Sequence, residues 1–175
     1  PEVWHSMMRH VVLECYRVTK PTATALFFCD WRAYPSMMSI IGSAGFSLRG
    51  LLVWDKGRGT RPNKNGFRAQ TEFIVWARKG GAPSRDPPVY LDGVFRHQTP
   101  RRVHHLTEKP IDLMRELVEI APPEGVILDP FQGSGTTGVS AILSGRRYIG
   151  IESVEHYHSL ACERLAKAAS GGADG

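Results

Sequence analysis

The stretch that most constrains the fold is Val126–Leu143, which reads VILDPFQGSGTTGVSAIL. A short apolar run ends in an acid, passes through two glycines spaced one residue apart, and continues as a small, apolar, helix-like segment. Such a strand–turn–helix junction is typical of nucleotide sites, because glycines let a ligand approach the backbone and the helix N-terminus offers unpaired N–H groups. Strand Tyr148–Ile151 and helix Glu155–Lys167 continue the pattern. We therefore predict a right-handed parallel βαβ unit in an α/β fold.

Two acids lie close to this turn in the sequence and restrict the chemical class of ligand that could bind there. Glu152 ends the second strand, 19 residues after Gly133, and an acid at this distance binds ribose hydroxyls in βαβ sites. Asp129 ends the first strand. A carboxylate there would repel a pyrophosphate, whereas it would attract an ammonium group. Together the two acids favour an adenosyl ligand with an amino-acid end, S-adenosylmethionine (SAM).

A dinucleotide is the alternative that the glycines leave open. Residues 133–138 satisfy the bare G-x-G-x-x-G pattern, so a NAD-dependent oxidoreductase fits the turn formally. No Lys-Ser/Thr pair follows the glycines, which argues against a phosphate loop of the Walker A type. The oxidoreductase hypothesis explains neither Asp129-Pro130 nor the basic middle of the chain.

Upstream of the turn, the chain also alternates helices and strands. We predict helices over Glu2–Val18, after an N-capping Ser36, and after an N-capping Thr107 with Pro110 in its first turn, and strands over Ala25–Cys29, Leu48–Lys56 and Glu72–Lys79. Gly80–His105 is rich in Pro, Gly and Arg and is predicted to be irregular. These strands are expected to extend the sheet of the βαβ unit.

Positive charge is concentrated in the middle of the chain. The net charge is +5, yet Asp55–His105 alone holds eleven Lys or Arg against four acids. The basic residues lie among Gly, Pro and Asn, a composition typical of loops that contact a phosphate backbone. The simpler alternative is a solvated basic surface.

The sequence gives little support for a membrane protein, a secreted protein or a metal-binding protein. No apolar run is long enough to span a bilayer, and no signal peptide is visible, so we predict no membrane partner. Cys15, Cys29 and Cys162 are widely spaced, which indicates reduced thiols in a cytoplasmic protein. The histidines form no metal-binding pattern, so no metal is predicted.

The segment DPFQGSGTTGVSAILSGRRYIGIE (129–152) resembles the cofactor-binding half of the DNA methyltransferases that modify adenine N6 or cytosine N4. Upstream, HLTEKP (105–110) resembles the H-x-T-x-K-P element of that family, and LFFCDWR, LLVWDKGRG and AQTEFIVWARKG resemble its middle strands. The order of these elements is the β-type order. The resemblance implies a Rossmann-like SAM-dependent methyltransferase sheet with helices on both faces and a circularly permuted motif order.

The resemblance also implies a site and a partner. SAM would lie over the turn, with Glu152 on the ribose, Phe131 near the adenine or sulfonium, and Thr107 and Lys109 on the far side. The full set of implied cofactor residues is Asp129, Pro130, Phe131, Gly133, Ser134, Gly135, Thr136, Glu152, Thr107 and Lys109. The implied contacts to double-stranded DNA are Lys56, Arg58, Arg61, Lys64, Arg68, Arg101 and Arg102.

The implied activity is transfer of a methyl group to the amino group of a flipped-out base, with adenine N6 favoured over cytosine N4. The implied division is part of a catalytic half (1–79), a target-recognition insertion (80–104), a SAM-binding half (105–170) and a disordered tail (171–175). The restriction–modification systems of bacteria or phages are the expected setting.

No catalytic residue is assigned within this chain. The family's catalytic element is D-P-P-Y or S-P-P-Y at the end of a strand; here Asp86–Tyr90 reads DPPVY, but no apolar strand precedes it and Val89 interrupts it. We interpret it as a turn and expect the catalytic element upstream of Pro1. The chain alone is then expected to be inactive and to self-associate through unpaired sheet edges. A non-catalytic DNA-binding remnant is the further alternative.

Overall fold

The computed structural model describes residues 2–60, 62–100 and 108–171. The chain divides into two compact units, Pro1–Arg96 and His97–Gly175. The elements of the first unit are α1 (Glu2–Val18), β1 (Thr24–Cys29), α2 (Tyr34–Ser43), β2 (Ser47–Asp55), β3 (Thr71–Arg78) and β4 (Val94–Arg96). Those of the second are α3 (Ile111–Val118), β5 (Val126–Asp129), α4 (Thr136–Leu143), β6 (Arg147–Gly150) and α5 (Glu155–Ala169).

A four-stranded sheet in the order β1-β3-β2-β4 forms the centre of the first unit. β3 pairs antiparallel with β1 and β2, and β4 pairs parallel with β2. Alternate residues of β3, Val75 and Ala77, face a core that also holds Val12 of α1 and Ile41 of α2. Because side chains alternate across a strand and recur every three or four residues along a helix, these apolar positions specify the packing.

In the second unit, β5 and β6 pair in parallel, from Val126 opposite Arg147 to Asp129 opposite Gly150. The connection between them is α4, which packs against α3 and α5. The predicted βαβ unit is therefore confirmed in its strand direction. The α/β class is confirmed as well. The bounds predicted for Glu2–Val18, Ala25–Cys29, Leu48–Lys56, Glu72–Lys79, Tyr148–Ile151 and Glu155–Lys167 differ from the observed ones by two residues at most.

The expectation of one continuous sheet is wrong for the described residues. The described strands form a four-stranded sheet in the first unit and a two-stranded sheet in the second. The prediction that Gly80–His105 is wholly irregular is also wrong, because Val94–Arg96 pairs with Val53–Asp55 as β4. Three residues are too few for periodicity to indicate a strand. The unit boundary after Arg96 divides the segment 80–104 that was predicted as one insertion.

Two predicted helix caps are also wrong. α2 begins at Tyr34 with Ala33 as its N-cap, because Pro35 fits the first turn, and the Ser36 hydroxyl instead lies 3.0 Å from His5 Nε2. α3 begins at Ile111 with Pro110 as its N-cap, in an extended conformation that a proline adopts readily. Thr107 lies outside the described residues, as do Arg61, Arg101, Arg102 and 172–175 of the predicted tail.

Candidate cofactor-binding site

The turn between β5 and α4 is fixed by backbone hydrogen bonds to the end of β6. Ile151 N–H donates to the Asp129 carbonyl over 2.9 Å, and Gln132 N–H donates to the Ile151 carbonyl over 3.0 Å. Within the turn, Gly133 and Gly135 have φ angles of 52° and 84°, the left-handed region that glycine adopts without strain. The chain therefore reverses here at the carboxyl ends of two parallel strands, where α/β proteins bind ligands.

The two glycines have different reasons to lack a side chain. A Cβ at Gly135 would lie 2.9 Å from the Cβ of Ala161, so this position lets α5 pack closely against the turn. A Cβ at Gly133 would meet nothing within 4 Å. Gly133 therefore leaves the surface of the turn open to a ligand, whereas Gly135 allows α5 to pack against the turn.

Glu152 is half-buried beside the turn, and both of its oxygens are positioned. Oε2 accepts a hydrogen bond from Gly133 N–H at 3.0 Å, and Oε1 accepts one from Val154 N–H at 2.9 Å. Each carboxylate oxygen has a second lone pair, so the group is oriented and can still accept hydrogen bonds from a diol. This confirms that the predicted acid lies against the predicted glycine turn.

Asp129 is half-buried at the end of β5. Its Oδ1 accepts a hydrogen bond from Phe131 N–H at 3.0 Å, and no described group donates to Oδ2. The pKa of the nearby Tyr148 hydroxyl is raised, first by burial and then by the charge of Asp129. Phe131 is 51% exposed, so its ring offers an apolar surface next to these carboxylates. These features fit SAM. The oriented Asp129 carboxylate suits its ammonium group, the open glycine beside Glu152 leaves room for its ribose, and the exposed Phe131 ring suits its base.

A buried ion pair holds the underside of the turn, and the sequence analysis missed it. Arg164 Nη1 donates to Glu108 Oε1 at 2.9 Å, to the Ser134 carbonyl at 2.9 Å and to Ser134 Oγ at 3.1 Å. Thr136 Oγ1 donates to the same Glu108 oxygen at 3.2 Å. The side chains of Arg164 and Glu108 are 7% and 8% exposed. The network therefore joins the segment before α3, the turn and α5.

One sequence signal could have revealed this pair. Ala161, Arg164 and Ala168 are the buried residues of α5, so the arginine lies on the apolar face at spacings of three and four. A charge on such a face must find a partner, because an unpaired buried charge is strongly unfavourable. Glu108 occupies one of the two variable positions of the H-x-T-x-K-P pattern, so the pattern gave no reason to single it out.

A second buried arginine braces the same unit away from the turn. Arg146 forms a bidentate pair with Glu119, at 3.0 Å through Nη1 and 2.9 Å through Nη2, and also donates to the carbonyls of Ala121 and Ser144. These contacts attach the start of β6 to the segment that follows α3. The role of Arg146 in this structure is therefore to hold the scaffold of the site.

Comparison with known proteins decides the family. The sequence profile described as DNA methylase, of the N6/N4 methyltransferase type, matches residues 1–163. The chain belongs to this DNA methylase family. YubD of Escherichia coli (strain K12), which is described as a methylase, is 38% identical over 154 residues, 87% of this chain and 66% of that relative. The type II methyltransferase M2.DpnII of Streptococcus pneumoniae is 31% identical over 182 residues, 92% of this chain and 67% of that relative.

Solved structures agree with this family. A complex of M1.HpyAVI with SAM superposes with a TM-score of 0.80 at 26% identity, covering 94% of this chain and 84% of that one. The DNA modification methylase TTHA0409 of Thermus thermophilus, also solved with SAM, has a TM-score of 0.80 at 23% identity, covering 97% and 79%. The second likeness supports the fold alone. The family uses SAM as its methyl donor. This chain spans 66% of the length of its E. coli relative.

In this member of the DNA methylase family, the predicted cofactor residues differ in their exposure and in their partners. Those whose side chains or backbone lie at the surface of the turn are Asp129, Pro130, Phe131, Gly133 and Glu152. Ser134 and Thr136 are buried, and their hydroxyls bond to the Glu108–Arg164 pair. Lys109 is half-buried in the segment before α3. Direct contact between a cofactor and the Ser134 or Thr136 hydroxyl is therefore not favoured, although both residues shape the turn.

The predicted DNA contacts in the first unit differ in whether their charged groups already bond to other residues of the chain. Lys56 Nζ forms an ion pair with Glu72 at 2.8 Å and lies over the Trp54 ring. Arg68 Nη1 donates to the carbonyls of Arg58 and Thr60. The side chains of Arg58 and Lys64 are exposed. Arg58 and Lys64 are thus the described candidates best placed for phosphates.

The DPPVY sequence lies in an irregular segment between β3 and β4. Asp86 and Tyr90 are exposed there, and no strand ends at Asp86. The interpretation of this sequence as non-catalytic thus stays a prediction. No group of three or more metal-ligating side chains is found in residues 2–60, 62–100 and 108–171. Within these ranges, no helix has the length and apolar character needed to cross a bilayer.

Proposed function

We propose that this chain binds SAM over the turn Asp129–Gly135 and serves methyl transfer to the exocyclic amino group of a DNA base. The observation that carries this proposal is the pair of oriented carboxylates on either side of an open glycine. Glu152 is fixed by Gly133 N–H at 3.0 Å, and Asp129 has one oxygen fixed by Phe131 N–H at 3.0 Å. Membership of the DNA methylase family and the likeness to the M1.HpyAVI complex with SAM support it.

The residues of the turn would hold the cofactor by their ordinary chemistry. The second lone pairs of the Glu152 oxygens accept hydrogen bonds from ribose hydroxyls. The Asp129 carboxylate, with Oδ2 available, attracts an α-ammonium group, and the Phe131 ring covers the flat face of a base. When bound, SAM would supply a sulfonium methyl group for transfer to an amine nitrogen, with the neutral thioether S-adenosylhomocysteine as the leaving group. The chain's contribution is positioning, because the Glu108–Arg164 pair fixes the turn from below.

The proposed substrate is double-stranded DNA, with the target base turned out of the helix. The basic connection between β2 and β3 supports this, since it exposes Arg58 and Lys64 and has no acid to oppose them. Adenine N6 is the expected target and cytosine N4 the alternative. We further propose type II modification and a cytoplasmic location, where free thiols and DNA are both expected. Nucleoside analysis of DNA from cells that express the intact protein would distinguish N6-methyladenine from N4-methylcytosine.

Calorimetric titration tests the cofactor directly, because binding does not require turnover. The chain should bind SAM and not NAD. Asp129→Asn and Glu152→Gln should each weaken SAM binding by about tenfold or more, because each removes a charge that receives a hydrogen bond. Glu163→Gln, an exposed acid on α5 with the same charge change, is the matched control and should bind normally.

Two results would contradict the proposal. Binding of NAD without SAM would favour the oxidoreductase alternative that the glycine pattern left open. Binding of DNA with no affinity for SAM would favour a DNA-binding remnant. If Glu163→Gln weakened SAM binding as much as Glu152→Gln, the assignment of Glu152 to the ribose would be wrong.

A further inference from the structure

The connection between β2 and β3 presents an aromatic ring to solvent in a basic setting. Residues 56–70 read KGRGTRPNKNGFRAQ and contain five Lys or Arg and no acid. Phe67 in this connection is 94% exposed, more than any other large apolar side chain described. A phenylalanine in water forgoes the free energy that burial would provide. Neither the cofactor site nor the core accounts for this ring.

The ring is carried on a braced loop. Asn63 Nδ2 donates to the Phe67 carbonyl at 2.9 Å, and Gly66 N–H donates to the Asn63 carbonyl at 3.2 Å. Next to the ring, Arg68 Nη1 donates to the carbonyls of Arg58 and Thr60 at 3.2 and 2.6 Å. Pro62 and Arg68 also form an isolated bridge. The backbone that carries the exposed Phe67 ring is therefore held in place before any contact, which lowers the backbone entropy lost on binding.

Hydrogen bonds also join the two ends of the loop, where it meets β2 and β3. Asp55 Oδ1 accepts hydrogen bonds from Gly57 N–H and from Gln70 Nε2, each at 2.9 Å. Lys56 N–H donates to the Gln70 carbonyl at 2.7 Å. The two ends of the connection are thus joined where the strands end, so the basic residues and the ring project from a fixed root.

We propose that Phe67 is a wedge that inserts between stacked bases of double-stranded DNA while Arg58 and Lys64 contact the phosphates. This inference rests on the proposed function, in which a base leaves the helix. Turning out a base breaks stacking, and an apolar side chain that enters the opened step restores part of it. DNA is the partner that the charge selects, because the loop offers cations and an aromatic face with no acid among them.

The test compares two short DNA duplexes of equal length that differ only in a central mismatched pair. A mismatch is already partly unstacked, so a wedge enters it more readily. The unchanged chain should bind the mismatched duplex about tenfold more tightly than the matched one, the size expected of one base–aromatic stack. Phe67→Ala should lose this preference, and Phe67→Trp should keep it. Fluorescence anisotropy of labelled duplexes measures both affinities.

Two control variants separate stacking from charge and from general apolar contact. Val18→Ala removes another exposed apolar side chain, 52% exposed on α1, and should leave the preference intact. Lys64→Gln should reduce the salt dependence of binding by roughly one phosphate contact without changing the mismatch preference. Phe67→Ala removes no charge, so its salt dependence should equal that of the unchanged chain.

The outcomes separate this inference from the proposed function. A Phe67→Ala variant that keeps the full mismatch preference overturns the wedge while DNA binding stands. An effect of Phe67→Ala on self-association, with unaltered DNA affinity, overturns it as well and assigns the ring to a protein contact. If the unchanged chain binds neither duplex, the DNA substrate of the proposed function fails and the wedge fails with it, whereas SAM titration still reports on the cofactor site.

Discussion

The cofactor turn (Asp129–Gly135) and the basic loop (Lys56–Gln70) both connect regular elements at the end of a strand, yet they are stabilised in different ways. The turn buries two polar side chains: Gln132 and Ser134 are 7% and 4% exposed and have hydrogen-bond partners in Tyr148 and Arg164. The loop exposes its side chains and is held mostly by bonds to backbone carbonyls. Substitutions in the turn are therefore expected to affect folding and binding together, whereas substitutions in the loop can change binding alone.

Breaking the buried Glu108–Arg164 pair under the turn should lower stability more than any other substitution considered. Arg164→Leu leaves the Glu108 carboxylate buried without its partner, and we expect it to lower the free energy of unfolding by about 3–5 kcal/mol. Urea denaturation measures this change. Arg17→Leu is the matched control, since the Arg17–Glu14 pair is exposed and such pairs contribute about 0–1 kcal/mol.

A double substitution separates the cost of an unpaired buried charge from the loss of support for the turn. Arg164→Leu with Glu108→Leu removes both charges, so a substantial part of the lost stability should return, although the Ser134 carbonyl still loses a donor. SAM affinity should stay low in the double variant, because the turn is no longer fixed from below. Full recovery of both stability and SAM affinity would show that the pair does not position the turn.

The next effect distinguishes the two glycines of the turn. Gly135→Ala forces a side chain into the left-handed region and against Ala161, and we expect a loss of about 2–4 kcal/mol in unfolding free energy. Gly133→Ala adds only the conformational term, about 1–2 kcal/mol, because nothing lies within 4 Å. Thermal denaturation and SAM titration together test this pair. Equal losses of stability in the two variants would contradict the separate roles given to these glycines.

The sequence predicted the part of the site that is local in the chain. The glycine turn and both acids lie within Asp129–Glu152, so a short pattern with a known spacing was enough to place them together. The Glu108–Arg164 pair joins residues 56 positions apart, and no periodicity reports which charge meets which. The fold follows the same rule. Long amphipathic elements were predicted nearly to the residue, whereas β4, with three residues and a parallel partner far along the chain, could not be.

The smallest expected effect concerns the root of the basic loop and depends on pH. The pKa of Asp55 is lowered, first by Gly57 N–H, then by the Gln70 side chain, and further by the charge of Arg96. A folded-state pKa below the ordinary value of 3.8 means that the folded chain binds protons less readily than the unfolded chain. The stabilisation is therefore fully present above pH 3.8 and is lost as the pH falls through the folded-state pKa.

Asp55→Asn tests this dependence at the root of the loop. At neutral pH the substitution should lower the free energy of unfolding by about 1 kcal/mol, since it removes a charged hydrogen-bond acceptor near the surface. The difference between the unchanged chain and the variant should shrink as the pH falls below 3.8, and urea denaturation across this range measures it. If the unfolding free energies of the two proteins differed by the same amount at every pH, the shape of the Asp55 side chain, and not its charge, would account for closure of the loop. Most hydrogen bonds of the loop are accepted by backbone carbonyls, so they should persist in the Asp55→Asn variant whichever result is obtained.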